Sequence, residues 1–299
     1  LIEGAPRIVD GDDIGRVFLS ELGGSAWTME TDGQREIIHL QAVTSGENAV
    51  GHLHLVLNHD VAVVLHLTGQ SEWAGLHITG TVNANVRAAF GLVNELSPKG
   101  KLLHCEDWTI GRDATLELAG LSIGGSRCKS DVRSRLTASG GALSQAISVH
   151  GSGQRHVDHH IEIHHDVHHT NSSLNIHAAC DDRSHSIATG LLTITEDANH
   201  CDASQVFKNL LLSERARAEA IPELEVLADE VSAAHGAASA PVDQDQLHYL
   251  LSRGLDDETA VALLIEGFMQ SGFSSLENKA LVDEIQNRLA MHLERELEG

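Results

Sequence analysis

From Arg35 to about Ser148 the chain never sustains a helix-length apolar periodicity; it offers instead a succession of short apolar runs, each of strand length. Glu36 to Val43, His52 to Leu57, Val61 to Leu67, Leu76 to Val82, Val86 to Val93, Thr115 to Ile123 and Val132 to Ala138 are separated by Gly, Asn, Asp and Ser. Each reads as a strand closed by a turn. Many short strands with small turns restrict the fold to a sandwich, a barrel or a β-helix. No crisp repeat singles out the last. Only 3% of the residues are aromatic, however, while Val, Leu, Ile, Ala and Gly abound. That suits stacked coils in which each strand's inward residues pack on those of the next turn, and it puts the β-helix slightly ahead.

The 299 residues allow two ordinary domains or one large β domain with an appendage, and a 41% hydrophobic content fills a sizeable core. A net charge of −23 argues against nucleic acid and anionic membrane surfaces as partners, since both attract basic patches. Four cysteines are too few for a disulfide framework, so reduced thiols are expected. No run approaches the roughly twenty apolar residues of a membrane helix, and LIEGAPRIVDGDD lacks the basic and apolar regions of a secretory signal. The expected compartment is cytoplasmic. No Walker motif and no dinucleotide glycine fingerprint is present.

Outside the strand-rich middle, Asp10 to Leu22 reads as a short helix with Asp10 or Asp12 as cap and Gly23-Gly24 as stop. His150 to His169 is the least ordinary segment, HGSGQRHVDHHIEIHHDVHH. Taken as a strand over Val157 to His168, it sets His156, Asp158, His160, Glu162, His164, Asp166 and His168 on one face. Val157, Ile161, Ile163 and Val167 lie on the other. Same-face neighbours stand about 6.8 Å apart, so the polar face either pairs charges in solvent or chelates a metal. Asn171 to Ala179 and Ser184 to Ile194 continue the strands, and the β-rich body ends near Ala240-Pro241. Asp243 then caps a helix from Gln244 to Ser252 that stops at Gly254. A second follows Asp256 with Ala260, Leu263, Leu264 and Phe268 on its apolar side. Ser274 and Glu277 have capping-box spacing for a third, striped by Leu281, Ile285, Leu289 and Leu293. The plainest role for these helices is to cap an open end of the β body. The chain thus divides into a segment 1–24, a β core 25–241 and a helical part 242–299.

Ile187 to Gly236 holds the two residues best suited to a soft metal, Cys201 and His235. Ala188 to Ile194 and Glu223 to Val231 read as strands around a polar middle. Cys201 follows a turn at Asp197 to His200, and His235 precedes Gly236, which places each near a strand end. Thiolate and imidazole both suit iron and zinc, but the spacing is not that of a zinc finger.

The run GLLTITEDANHCDASQ, followed by NLLLS, PELEVLADEV and HGA, and then by LHYLLSRGL and LLIEGF, resembles the C-terminal half of the SufB and SufD proteins, scaffold subunits of SUF iron–sulfur cluster assembly. The resemblance covers roughly Asp166 to Phe268. It implies a mainly β fold, a right-handed parallel β-helix with a C-terminal helical subdomain. It also implies that Cys201, which stands where SufB-type chains carry a proposed cluster ligand, and His235, which stands where SufD-type chains carry the facing histidine, hold a transient iron–sulfur cluster, expected as 4Fe-4S. Both halves occur in one chain, so a homodimer follows, or else pairing with a second SufB/SufD-like subunit. The further partners implied are a SufC-like ABC-type ATPase, docking on YLLSRGL and LLIEGF, and apo-protein acceptors. Where SufD-like chains often have a cysteine, Ala233 stands, and Ala234 and Gly236 replace the glutamates that flank the histidine in SufB-like chains. Cys105, Cys128 and Cys180 are the thiols that could pass sulfur toward Cys201.

Two other classes remain open to the residues themselves. A His-rich divalent-metal-binding β-helix protein would use the His156 to His168 face. A polysaccharide-cleaving β-helix enzyme would pair acids such as Asp158, Glu162 and Asp166 along one strand, and the scarcity of aromatics for sugar stacking counts against it.

Overall fold

The computed structural model describes residues 2–3 and 13–298. Its body is a two-sheet parallel β-helix of about eight turns. One sheet takes β1 (Ile2–Glu3), β2 (Trp27–Glu30), β4 (Asn48–Leu57), β6 (Trp73–Val82), β8 (Lys101–Ile110), β10 (Arg127–Leu136), β12 (His156–His165), β14 (His185–Ile194) and β16 (Arg217–Val226). The other takes β3 (Ile37–Thr44), β5 (Val61–Gly69), β7 (Arg87–Leu96), β9 (Thr115–Ser122), β11 (Ala142–Gly151), β13 (Asn171–Cys180), β15 (Asp202–Leu211) and β17 (Ser232–Pro241). Successive strands alternate between the sheets, and all ladders but β1–β2 are parallel. Parallel sheets need both faces covered, and here the coil interior and a layer of helices cover the second sheet.

All seven of the expected strands from Glu36 to Ala138 are present with shifted ends, and the structure adds β2, β8 and β11. Polar inward residues hide β8: His104 and Glu106 face into the coil, where Glu106 is 2.9 Å from His104 Nε2 and accepts the Trp108 indole N–H at 2.6 Å. A repeat does exist. Asn48 pairs with Trp73, 25 residues on, whereas His185 pairs with Arg217, 32 residues on. Corners of changing length blur the period in the sequence.

The coil interior is the main core, with Leu55, Ile78, Phe90, Trp108, Ile161 and Phe207 buried along it. Gly80 makes room for Trp108, because a Cβ there would lie 2.1 Å from the ring. A second core lies outside the coil. Ala62, Val64, Ala89, Val93 and Leu121 of the second sheet pack against α3 (Asp257–Ser271) and α4 (Lys279–Glu298). Gly91 admits the close approach of Leu281, which a Cβ would meet at 2.5 Å. The C-terminal helices therefore lie along the face of a sheet and do not cap an open end, because Ala62, Val64, Ala89, Val93, Ala119 and Leu121 give that face an apolar patch, and Ser148, Asn175 and His177 farther along hydrogen-bond to α3 and the turn after it.

Helix α2 (Gln244–Ser252) has its expected bounds, with the Asp243 carboxylate accepting the Asp245 and Gln246 N–H groups. α3 follows Asp256 as expected, with the Asp256 side chain as its cap, but it buries Ala260, Ile265 and Met269 and leaves Leu263 exposed. The Leu281, Ile285, Leu289 and Leu293 stripe is buried as expected. Its helix does not begin in a Ser274 capping box: Ser274 lies in a short 3-10 turn (Gly272–Ser275), and Asn278 caps α4 through the Leu281 N–H. Glu117 of β9 accepts the N–H groups of Glu277 and Asn278, so the sheet supplies the rest of the cap. At the other terminus α1 (Ile14–Gly23) is capped by Asp13 and stops at Gly24, whose φ is 64°. The expected caps Asp10 and Asp12 lie outside the described residues. No helix among the described residues is long and apolar enough to cross a membrane.

Candidate functional site

Cys201 ends a corner built by stacked turns. His169 and His200 both have positive φ, and the turns are linked by the His169 N–H donating to the Asn199 carbonyl and the His200 N–H donating to that of Glu230. The chain then enters β15 with Cys201 pointing inward, only 2% exposed, against Leu192, Ile194, Ala198, Ala203 and Ala228. Its Sγ is 3.1 Å from Thr170 Oγ1 and 3.4 Å from the Val167 carbonyl. Thr170 Oγ1 is in turn 2.7 Å from Nδ1 of His165, whose Nε2 is 2.8 Å from Ser172 Oγ. Burial, and secondarily the neighbouring His164, push His165 down to about 4, so it stays neutral at pH 7. The neutral imidazole thereby orients the Thr170 hydroxyl beside the Cys201 thiol.

His235 is the fourth residue of β17, so it lies within a strand and not near its end. It pairs with Gln205 of β15 and shares that residue's inward row. Gln205 is buried, yet His235 is exposed, because β17 is the last strand of its sheet and no further coil covers it. Cys201 precedes Gln205 by four residues. At about 3.3 Å per residue and about 4.8 Å between strands, the Cys201 and His235 Cα atoms are roughly 14 Å apart in one chain. One chain alone does not bring the two together. The strand expected over Glu223 to Val231 is also displaced: β16 ends at Val226, and the residues that follow turn beneath Cys201, with Ala228 packed on it.

Sequence reasoning missed two residues around the thiol, His165 and Thr170. His165 was legible by parity, since it falls on the same inward row as Val157, Ile161 and Ile163. The row also holds His159, buried and pushed down to about 3 by burial. The outward row of that strand is half-buried and pairs charges. Glu162 bridges His160 at 2.9 Å and His164 at 3.1 Å, which hold its carboxyl far below the usual range, and Arg133 stands 3.4 Å away. The three other thiols are buried as well. Burial pushes Cys105 up to about 12 and Cys180 up to about 11.

The sequence model of the SufBD core domain of SUF-system FeS cluster assembly matches residues 40–268. Over 99% of its length the chain is 27% identical to an iron–sulfur cluster assembly SufBD family protein of Mycobacterium tuberculosis, of which it covers 78%. It is 35% identical over 121 residues to the iron–sulfur cluster assembly protein SufD of Bacillus subtilis, covering 40% of this chain and 27% of that one. With SufD of Escherichia coli it shares 23% identity over 248 residues, 81% of this chain and 58% of that one.

Proposed function

Since the chain belongs to the SufBD family of iron–sulfur cluster assembly proteins, we propose that it is a non-enzymatic scaffold on which a nascent cluster is held between two copies and then passed to apo-proteins. The observation that carries this reading is the state of the last coil. β16 and β17 each close a sheet with an unpaired ten-residue edge, and β17 is rich in Ala and carries Gly236, with His235 exposed upon it. Long, flat, unpaired edges are templates for pairing with another chain. A second copy docked there brings its own corner toward His235, so that Cys201 of one copy and His235 of the other become the ligands. A thiolate with an imidazole is an accepted donor set for an iron–sulfur core. Occurrence of both donors in one chain favours a homodimer over pairing with a second SufB/SufD-like subunit.

Cys201 is covered by the turn that holds Ala228, so the donor must be uncovered for iron and sulfide to reach it. A separate SufC-like ABC-type ATPase supplies that movement. Its dock is the exposed face of α2 and α3: no residue of α2 is buried, and Tyr249 and Leu263 are 56% and 44% exposed. The cluster is cargo, of 4Fe-4S type, and the working compartment is the cytoplasm.

Anaerobic reconstitution with ferrous iron and sulfide tests this. The wild type should develop visible charge-transfer absorbance, and Cys201→Ala should lose most of it while keeping its fold and its ATPase partner. Equal absorbance in the two would remove Cys201 from the site. The His-rich strand reading is weaker, because Glu162, His160 and His164 satisfy one another without an ion.

A further inference from the structure

Three side chains from three elements converge far from Cys201, on the outer face of the second sheet. His39 comes from β3, His66 from β5 and Glu284 from α4, and one ligand atom of each lies within 4.8 Å of the others. Among the described residues this is the sole group of three such side chains. His66 is 4% exposed, and its Nε2 makes no hydrogen bond although it stands 3.3 Å from Glu284 Oε1. A buried nitrogen that stands beside a carboxylate without bonding it is a costly arrangement. A cation between them relieves it.

We propose that His39, His66 and Glu284 bind a divalent first-row transition metal, which clips the C-terminal helix to the opening coils of the β-helix. Two imidazoles and one carboxylate are a donor set for zinc or ferrous iron, whereas magnesium and calcium prefer oxygen alone. Tetrahedral ligation at about 2.0–2.1 Å needs donor atoms roughly 3.3 Å apart. The His66 to Glu284 separation already meets this, and His39, exposed at the edge strand, has room to swing in. Arg288 is the one neighbour that opposes an ion. It also faces Glu95 at 3.5 Å, so its charge stays paired when Glu284 turns to the metal, while Arg295 holds the other Glu95 oxygen. The exposed side leaves a fourth position for water.

The inference does not depend on the cluster reading and uses none of its residues. The experiment is calorimetric titration of Zn²⁺ into the chelator-treated full chain, with Co²⁺ spectra reporting coordination. One Zn²⁺ per chain is expected, raising the thermal midpoint, with visible Co²⁺ d–d bands. Loss of a direct ligand should weaken binding by at least the about 10–100-fold typical of losing an outer-shell partner. Glu284→Gln, nearly isosteric, and His39→Asn, at the surface, should both show this loss and fold normally without metal. A His160→Asn, His164→Asn double variant should keep the ion. An ion retained at full affinity in Glu284→Gln and His39→Asn, or no zinc taken up by the wild type, would overturn the site.

Discussion

Replacing Arg16 by Met should cost about 3–5 kcal/mol, the range for removing one partner of a buried ionic group. Arg16 is 2% exposed on α1, and its guanidinium reaches Asp107 at 2.8 Å, Asp131 at 2.6 Å and Asp13 at 2.5 Å, with the Glu106 carbonyl at 3.0 Å. Burial alone would raise the Asp107 carboxyl. The His77 hydrogen bond and the Arg16 charge outweigh it and hold that carboxyl below its usual range. Without Arg16, Asp13 and Asp131 keep only the partly exposed Arg133, 3.3 Å from each, Asp107 is left with His77 alone, and α1 loses its grip on β8 and β10. Arg16→Lys should recover only part of the loss, because one ammonium cannot reproduce the planar fork. Denaturant midpoints check both variants. A Met variant within about 0.5 kcal/mol of wild type, as for ordinary surface changes, would show that the aspartates find other partners.

Acidification should unfold this protein while its carboxylates are still ionised. Burial pushes His150 to about 4, His159 to about 3, His165 to about 4 and His292 to about 3. His150 and His292 also face each other at 2.9 Å, so neither can readily charge. In the unfolded chain each takes a proton near 6.5. Between about pH 6.5 and 4 the unfolded state therefore binds more protons, and stability falls with pH by up to about 1.4 kcal/mol per unit for each histidine. His160, raised by its hydrogen bond to Glu162, works in the other direction: its contribution is complete below about 6.5 and fades as pH rises. One such group does not offset four. Net charge makes the test decisive. Moving from pH 7.5 toward the pI of about 5.2 relieves the self-repulsion of a −23 chain and would by itself stabilise it. A denaturant midpoint that drops between pH 7.5 and 5 supports the buried histidines, and one that holds or rises contradicts them.

β8 was lost because His104 and Glu106 turn into the coil, whereas β11 was missed although Leu143, Ile147 and Val149 line its inward row, since Ser144, Gln145 and Ser148 break up the apolar run. α2 was legible to the residue because Asp243 and Gly254 are local signals. The start of α4 was not, because part of its cap, Glu117, comes from a strand 160 residues away. The candidate site divides in the same way. Cys201 and His235 stood out by residue type and by resemblance. Their places in the fold, one inside a corner and the other on an open inward row, depend on register between coils whose lengths vary. The His39, His66 and Glu284 group left no trace in the sequence, since only the packing of α4 on β3 and β5 assembles it.

The central claim is that the donors meet across two copies, and mixed dimers test it most directly. A dimer formed from one Cys201→Ala copy and one His235→Ala copy keeps one site with both donors and loses the other. Anaerobically reconstituted, it should carry about half the cluster of wild type, while each variant paired with itself carries little. A mixed dimer as empty as either parent would mean that the two residues do not act across the interface.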